Sequence, residues 1–330
     1  MAVRPLLIGD LGGTNARFAL ADPQAPRYSQ VAKLLCADHE TPEEAIAAYL
    51  AQAGTPAPAV ICLAVAGVVV DQRVRFLNNH WSLDARSLQR RFAGAEARLL
   101  NDFEAISLSL PLLGEADLEP VGPARPDFHG RDDYTLAVIG PGTGLGTGGL
   151  LCRGGEATAV TGEGGHAGFA PVTRTQLRLL EILRERFERV SNERLLCGPG
   201  IENIYAAVRE MRGEPTATAT AAEIFPRARG HGDDSAAETV QLFFEALGQA
   251  AGDLALTIGA LDGVFIGGGI VGRYPELLKS GSFRSGFENK GRYRSLMERI
   301  PTSLITHDQP GLLGASYMAR RIARTALEAE

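Results

Sequence analysis

The chain has 330 residues, 45% hydrophobic and 22% charged, with a formal net charge of -6. That length suits one large domain or two ordinary ones, with enough apolar residues for a sizeable core. Charges of both signs are mixed along the chain, so no basic stripe points to a nucleic-acid partner.

Leu6–Ile8 reads as a buried strand, and "MAVRP" before it lacks the pattern of a secretory leader. A glycine turn follows at Gly9–Thr14, and "ARFAL" resumes as a second strand. Pro42–Ala53 reads as a helix, with Thr41 as N-cap, proline first and Glu43–Glu44 in the first turn. Ala59–Gly67 is a continuous apolar run suited to a central strand buried on both faces. Extended to Val70 it reaches 12 residues, short of the roughly 20 that a membrane helix needs. "VRFLNNHW" is a strand entering a polar loop, and Ser82–Phe92 reads as a helix capped by Ser82. "ARLLNDFEA" is a short strand ending in polar residues, then a helix.

Glu115–Tyr134, rich in Pro, Gly and Asp, is the best candidate for a domain boundary or a long surface connection. Thr135–Leu151 then repeats the opening: apolar strand, glycine turn, apolar strand. Thr175–Val190 reads as an amphipathic helix on Leu180, Leu183, Phe187 and Val190. Ser235–Leu261 is a long helix carrying Gly248, Gly252 and Gly259, Gly263–Val271 a strand with a triple-glycine turn, and Gly314–Ala329 a closing helix. Alternating strands and helices give an α/β fold with a largely parallel centre, and the two strand–turn–strand units make its sheets mixed.

Cys36, Cys62, Cys152 and Cys197 form no Cys-x-x-Cys pair, so neither a zinc framework nor a redox motif is expected. Scattered thiols suit a reducing cytoplasm.

The turn Gly9–Thr14 has no lysine and so is not a P-loop; a strand rather than a helix follows it, so it is not a dinucleotide fingerprint. A hairpin whose amides face a phosphate remains, with Thr14 and Asn15 as added donors. Related turns occur at Pro141–Gly146, with Gly142, Thr143 and Gly144, and at Gly267–Gly269. Asp10 beside a phosphate implies an intervening cation, Mg²⁺ held through water; the alternative is an Asx-turn in which Asp10 bonds its own backbone.

"GDLGGTNARFAL", "LNDFEA", "GPGTGLG", "GEGGHAGFAP", "ERLLCGPGIENIY" and "GVFIGGGIV" stand in the order seen in bacterial ATP-dependent glucokinases, and the chain resembles that family from Leu6 to about Leu313. The wider resemblance, to the sugar kinase, actin and heat-shock chaperone superfamily, implies two ribonuclease-H-like domains with mixed, mostly parallel sheets and an interdomain cleft for ATP. Residues 1–110 with 308–330 would form the small domain and 111–307 the large one. The resemblance places Gly9, Asp10, Leu11, Gly12, Gly13, Thr14 and Asn15 at the first phosphate hairpin, Gly142, Thr143 and Gly144 at the second, and Gly267 and Gly268 beside adenosine. It also implies a homodimer. Related repressor–kinases add a cysteine-rich zinc site after the "EGGH" element; "AGFAPVTRTQLR" here holds no cysteine, which fits the zinc-free branch. The loop "FLNNHW" lacks the threonine expected before Asn78.

Sugar recognition needs rigid donors and acceptors. Asn101 and Asp102 stand where a strand meets a helix, a normal ligand position in α/β sheets. Glu163 and His166 flank two glycines, Glu193 follows in "SNER", and Asn78 completes the set. Asp102, also by the resemblance, is the base that accepts the proton of the 6-hydroxyl of glucose as ATP donates its phosphoryl group. Helix capping by Asp102, a structural His166 and a surface Glu193 are the plainer readings. Competing functions are a kinase of another hexose, a non-catalytic hexose sensor, and a glycosidase using Asp102 with Glu163.

Overall fold

The computed structural model describes residues 4–76, 79–92, 94–215, 217–230 and 232–328. They form two compact units: Met1–Leu113 with Ala157–Thr161 and His307–Glu330, and Gly114–Glu156 with Gly162–Thr306.

In the first unit, β1 (Leu6–Leu11) pairs antiparallel with β2 (Asn15–Ala21), which pairs antiparallel with β3 (Tyr28–Leu35). On the other side of β1 lies β4 (Val60–Val65), parallel to it. A small ribbon of β5 (Arg73–Arg75) and β6 (Ser82–Asp84) follows, and β7 (Glu96–Asn101) pairs parallel with β4. The sheet order is β3-β2-β1-β4-β7. All six residues of β4 are buried, as its apolar run predicts for a strand flanked on both sides. Gly9 faces Leu63 across the β1–β4 pair; a Cβ there would lie 2.7 Å from Leu63 Cδ2.

Helix α1 (Pro42–Gln52) starts as expected, its Glu44 amide donating to Thr41 Oγ1 at 3.2 Å. Helix α2 (Ala85–Arg91) corrects the sequence reading: its cap is Asp84, whose Oδ1 accepts from the Arg86 amide at 2.8 Å. Ser82 and Asp84 both carry capping chemistry, but pairing with β5 keeps Leu83 and Asp84 extended, so the helix cannot start directly after Ser82. Helix α3 (Asp102–Ser109) follows β7 with no intervening residue. The C-terminal helix, Pro310–Glu328, lies against α3 at Gly314, where a Cβ would strike the carbonyl of Ala105.

The second unit opens with β8 (Leu118–Pro120), within the Pro/Gly-rich segment, and then the hairpin of β9 (Tyr134–Pro141) and β10 (Leu145–Arg153). Gly154 and Gly155, with φ of 56° and 79°, turn the chain into β11 (Glu156–Thr161). Helices α4 (Arg174–Arg186), α5 (Gly198–Met211), α6 (Ala221–Arg229) and α7 (Asp234–Ile258) precede β12 (Gly263–Ile266). The short helices α8 (Pro275–Leu278), α9 (Ser282–Glu288) and α10 (Arg294–Met297) lead to β13 (Thr302–Ile305). Within this unit the strands run β10-β9-β12-β13-β8, with β9, β12 and β13 parallel. An antiparallel hairpin beside two parallel strands therefore occurs in both units, which is the repeat seen in the sequence.

Helix α4 ends at Arg186, not Val190, and buries Gln176, Leu179, Ile182 and Leu183. Of the expected Leu180, Leu183, Phe187 and Val190, Leu183 is buried within the helix and Val190 just beyond its end, while Leu180 and Phe187 are partly buried against the same core, Phe187 already extended. Helix α7 packs on α9 through Gly248, Gly252 and Gly286; Cβ atoms there would meet Phe283, Phe287 and Glu245 backbone, so close approach requires glycine. Among the described residues no helix is long and apolar enough to cross a membrane.

Candidate active site

The first glycine turn joins β1 to β2. The Gly12 amide donates to the Asn15 carbonyl at 2.9 Å, and the Cys36 amide donates to the Thr14 carbonyl at 2.9 Å, which pins the far side of the turn. An Asx-turn at Asp10 would need that Gly12 amide, so the turn is not built that way. Gly9, Asp10 and Leu11 belong to β1, Gly12, Gly13 and Thr14 to the turn, and Asn15 opens β2. Asp10 faces Arg17 across the hairpin, its Oδ2 at 3.8 Å from Nη1. Gly311, in the first turn of the C-terminal helix, lies against the same carboxylate. Burial outweighs Arg17 and pushes the Asp10 carboxyl above its usual range.

Asn101 ends β7 and Asp102 begins α3, both at the C-terminal edge of parallel strands. The helix is capped by a reciprocal box: Asn101 Oδ1 accepts from the Phe103 amide at 2.9 Å and the Glu104 amide at 3.3 Å, while Glu104 Oε2 accepts from the Asn101 amide. Asn101 Nδ2 also donates to the Gly67 carbonyl at 3.1 Å. Asp102 Oδ1 accepts from the Phe103 amide at 2.9 Å and the residue is half-buried. The main cap is thus Asn101, not Asp102. Asn78 lies outside the described residues.

In the second unit the other two glycine turns meet. Gly142 donates to the Gly144 carbonyl at 2.8 Å, closing the loop between β9 and β10. The Gly267 amide donates to Ile139 at 2.9 Å, and Gly268, at φ 97°, sits against the Pro141 carbonyl where a side chain would collide. Gly142, Thr143, Gly144, Gly267 and Gly268 therefore cluster at the C-terminal ends of β9 and β12.

The "EGGH" turn presses on the start of β10. The Gly164 amide donates to Thr147 Oγ1 at 3.1 Å, and a Cβ on Gly165 would strike the Leu145 carbonyl. The glycines are needed for this contact with β10, a different reason from letting two side chains converge. Glu163 and His166 stand exposed on either side. Arg189 Nη1 donates to the His166 carbonyl at 2.7 Å, and the Asn192 amide donates to Ala167 at 2.9 Å. Glu193 follows, with Oε1 at 3.9 Å from His166 Nδ1 and Oε2 accepting from the Leu145 amide at 2.9 Å.

A sequence profile described as Glucokinase matches residues 7–322. The chain belongs to the glucokinase family. It is 42% identical over 323 residues to a glucokinase from Caulobacter sp. (strain K31), covering 97% of each chain. A glucokinase from Stenotrophomonas maltophilia (strain R551-3) is 42% identical over 328 residues, 98% of this chain and 97% of its own. The crystal structure of a glucokinase from an Antarctic psychrotroph superposes with a TM-score of 0.88 at 32% identity, covering 96% of this chain and 99% of that one. Membership makes the protein a hexose kinase, a phosphotransferase, with the actin-like ATPase fold.

For this member of the glucokinase family, sequence reasoning missed the groups that hold the site together. Thr147 supports the Glu163–His166 turn, and the Leu145 amide and Arg17 carried no local signal. The partners of Thr147 and Leu145 lie 17 and 48 residues away, beyond any short motif, whereas Arg17 and Asp10 share one motif and meet because the hairpin register sets them opposite each other.

Proposed function

We propose that the protein phosphorylates glucose at its 6-hydroxyl using ATP. The observation that carries this reading is the packing, in one unit, of the Glu163–His166 turn and Glu193 directly on the Gly142–Gly144 turn. Acceptors for sugar hydroxyls and a glycine turn fit for phosphate are then part of one hydrogen-bonded assembly.

Asp102 accepts the proton of the 6-hydroxyl as the oxygen attacks the γ-phosphorus. Asn101 orients Asp102 through its cap and donates to the sugar, and Asn78 is assigned to the same ligand. Glu163, His166 and Glu193 fix the remaining hydroxyls. The turns at Gly9–Asn15 and Gly142–Gly144 hold phosphate oxygens through amides other than those of Gly12 and Gly142, which close their own turns. Gly267 and Gly268 let adenosine approach closely. Asp10 is a single buried-side carboxylate, and a lone carboxylate suits Mg²⁺ that keeps its waters and arrives with ATP. Mg²⁺ bound there would supply neutralising charge to the transferring group.

Asp102→Asn tests the base. Turnover, followed as hexose-dependent ADP release, should fall about 100-fold or more while glucose binding persists. Near-normal turnover removes Asp102 from this role. Running the same assay over a hexose panel tests glucose as the preferred acceptor.

A further inference from the structure

Glu193 sits in a segment that touches both halves of the second unit's site. Its Oε2 accepts from the Leu145 amide at 2.9 Å, and Leu145 is 5% exposed, so that amide has no ready exchange with water. The same oxygen lies over Gly144, where a Cβ would come within 2.6 Å of it. Oε1 points the other way, 3.9 Å from His166 Nδ1. The ends of the segment are tied to the same two turns: the Asn192 amide donates to Ala167, and the Gly198 amide donates to the Gly142 carbonyl at 3.0 Å. The thiol of Cys197 donates to the Glu193 carbonyl at 3.0 Å and fixes the backbone between.

A residue serving only as a sugar ligand needs none of the contacts to Gly144 and Leu145. A residue bracing only the phosphate turn needs no oxygen towards His166. We propose that Glu193 is a positioning residue shared by the two turns, so that one carboxylate sets the affinity for nucleotide as well as for hexose. This rests on the assignment of Gly142–Gly144 to ATP phosphate. The absence of a side chain at Gly144 is then what admits the carboxylate.

The test uses binding rather than turnover. The full chain is titrated with the non-hydrolysable ATP analogue AMPPNP, without hexose, by calorimetry. Glu193→Ala should bind it roughly tenfold more weakly, the scale of leaving a buried amide without its acceptor. Glu193→Gln keeps an oxygen for the Leu145 amide and should stay within about threefold of wild type. The reciprocal variant is Gly144→Ala, whose Cβ must displace Oε2; it should weaken glucose binding, measured without nucleotide, by roughly tenfold. Unchanged AMPPNP affinity in Glu193→Ala, or unchanged glucose affinity in Gly144→Ala, overturns the shared role. If Glu193→Ala does not fold, Gly144→Ala decides alone. A folded wild-type chain that binds no AMPPNP instead overturns the nucleotide assignment beneath it.

Discussion

Gly164→Ala places the sharpest demand on the Glu163–His166 turn. The new Cβ would lie 2.6 Å from Thr147 Oγ1, so the turn must move out by about 0.8 Å to reach ordinary contact at 3.4 Å. That motion stretches the Gly164 amide bond to Thr147, now 3.1 Å, and Thr147 is buried with no room to swing away. Losing the bond costs about 1 kcal/mol and the overpacking about 1–3, offset by up to about 1 from the less flexible unfolded chain. The net loss is then about 1–4 kcal/mol, which a protein of ordinary stability survives. The larger effect is on chemistry, because a misplacement near 1 Å costs on the order of 100-fold in rate. Hexose-dependent ADP release should therefore fall far more than the melting temperature. Gly162→Ala, two residues earlier with nothing within 4 Å of its Cβ, is the control and should match wild type in both measurements. Wild-type kcat and KM for glucose in Gly164→Ala would refute the contact as the reason for glycine.

Other outcomes follow from the first unit. Burial raises the Asp10 carboxyl, so the folded state holds that proton more tightly than the unfolded chain and loses stability as pH rises from about 4 upward. Asp10→Asn should thus melt higher than wild type at pH 7, with the gain shrinking towards pH 4, while turnover drops; lower melting at every pH would contradict this. Asn101→Ala removes the α3 cap and the bond to Gly67, a loss of about 2 kcal/mol, whereas Asn101→Asp keeps the cap. Thermal melting should rank them wild type, Asp, Ala; equal losses in both variants would mean the cap is not what matters.

Much of this was legible because the signals are local. The β4 run is apolar throughout and β9 nearly so, Thr41 precedes a proline and two glutamates, and the repeated strand–glycine–strand unit marks both sheets. The α/β class follows from these, and the resemblance to the family from six short motifs standing in order. Where two local signals competed, the sequence was ambiguous: Ser82 and Asp84 are both good caps, and only the pairing of β6 with β5 selects Asp84. The buried face of α4 was read only in part because a buried glutamine, Gln176, takes an apolar position, its backbone amide donating to Thr173 Oγ1 and its side-chain oxygen accepting from Gln249 Nε2. In the site the residue types were readable, but the partners were not. Nothing near Glu193 announces a bond to an amide 48 residues earlier.

The junction of β7 and α3 has no loop: Asn101 is the last residue of the strand and Asp102 the first of the helix. A one-residue insertion there would turn every following α3 side chain by about 100° about the helix axis. It would also separate the cap from the helix it caps. This part of the molecule therefore has no freedom to vary in length during evolution. Changes of acceptor range, natural or engineered, have to enter by substitution here.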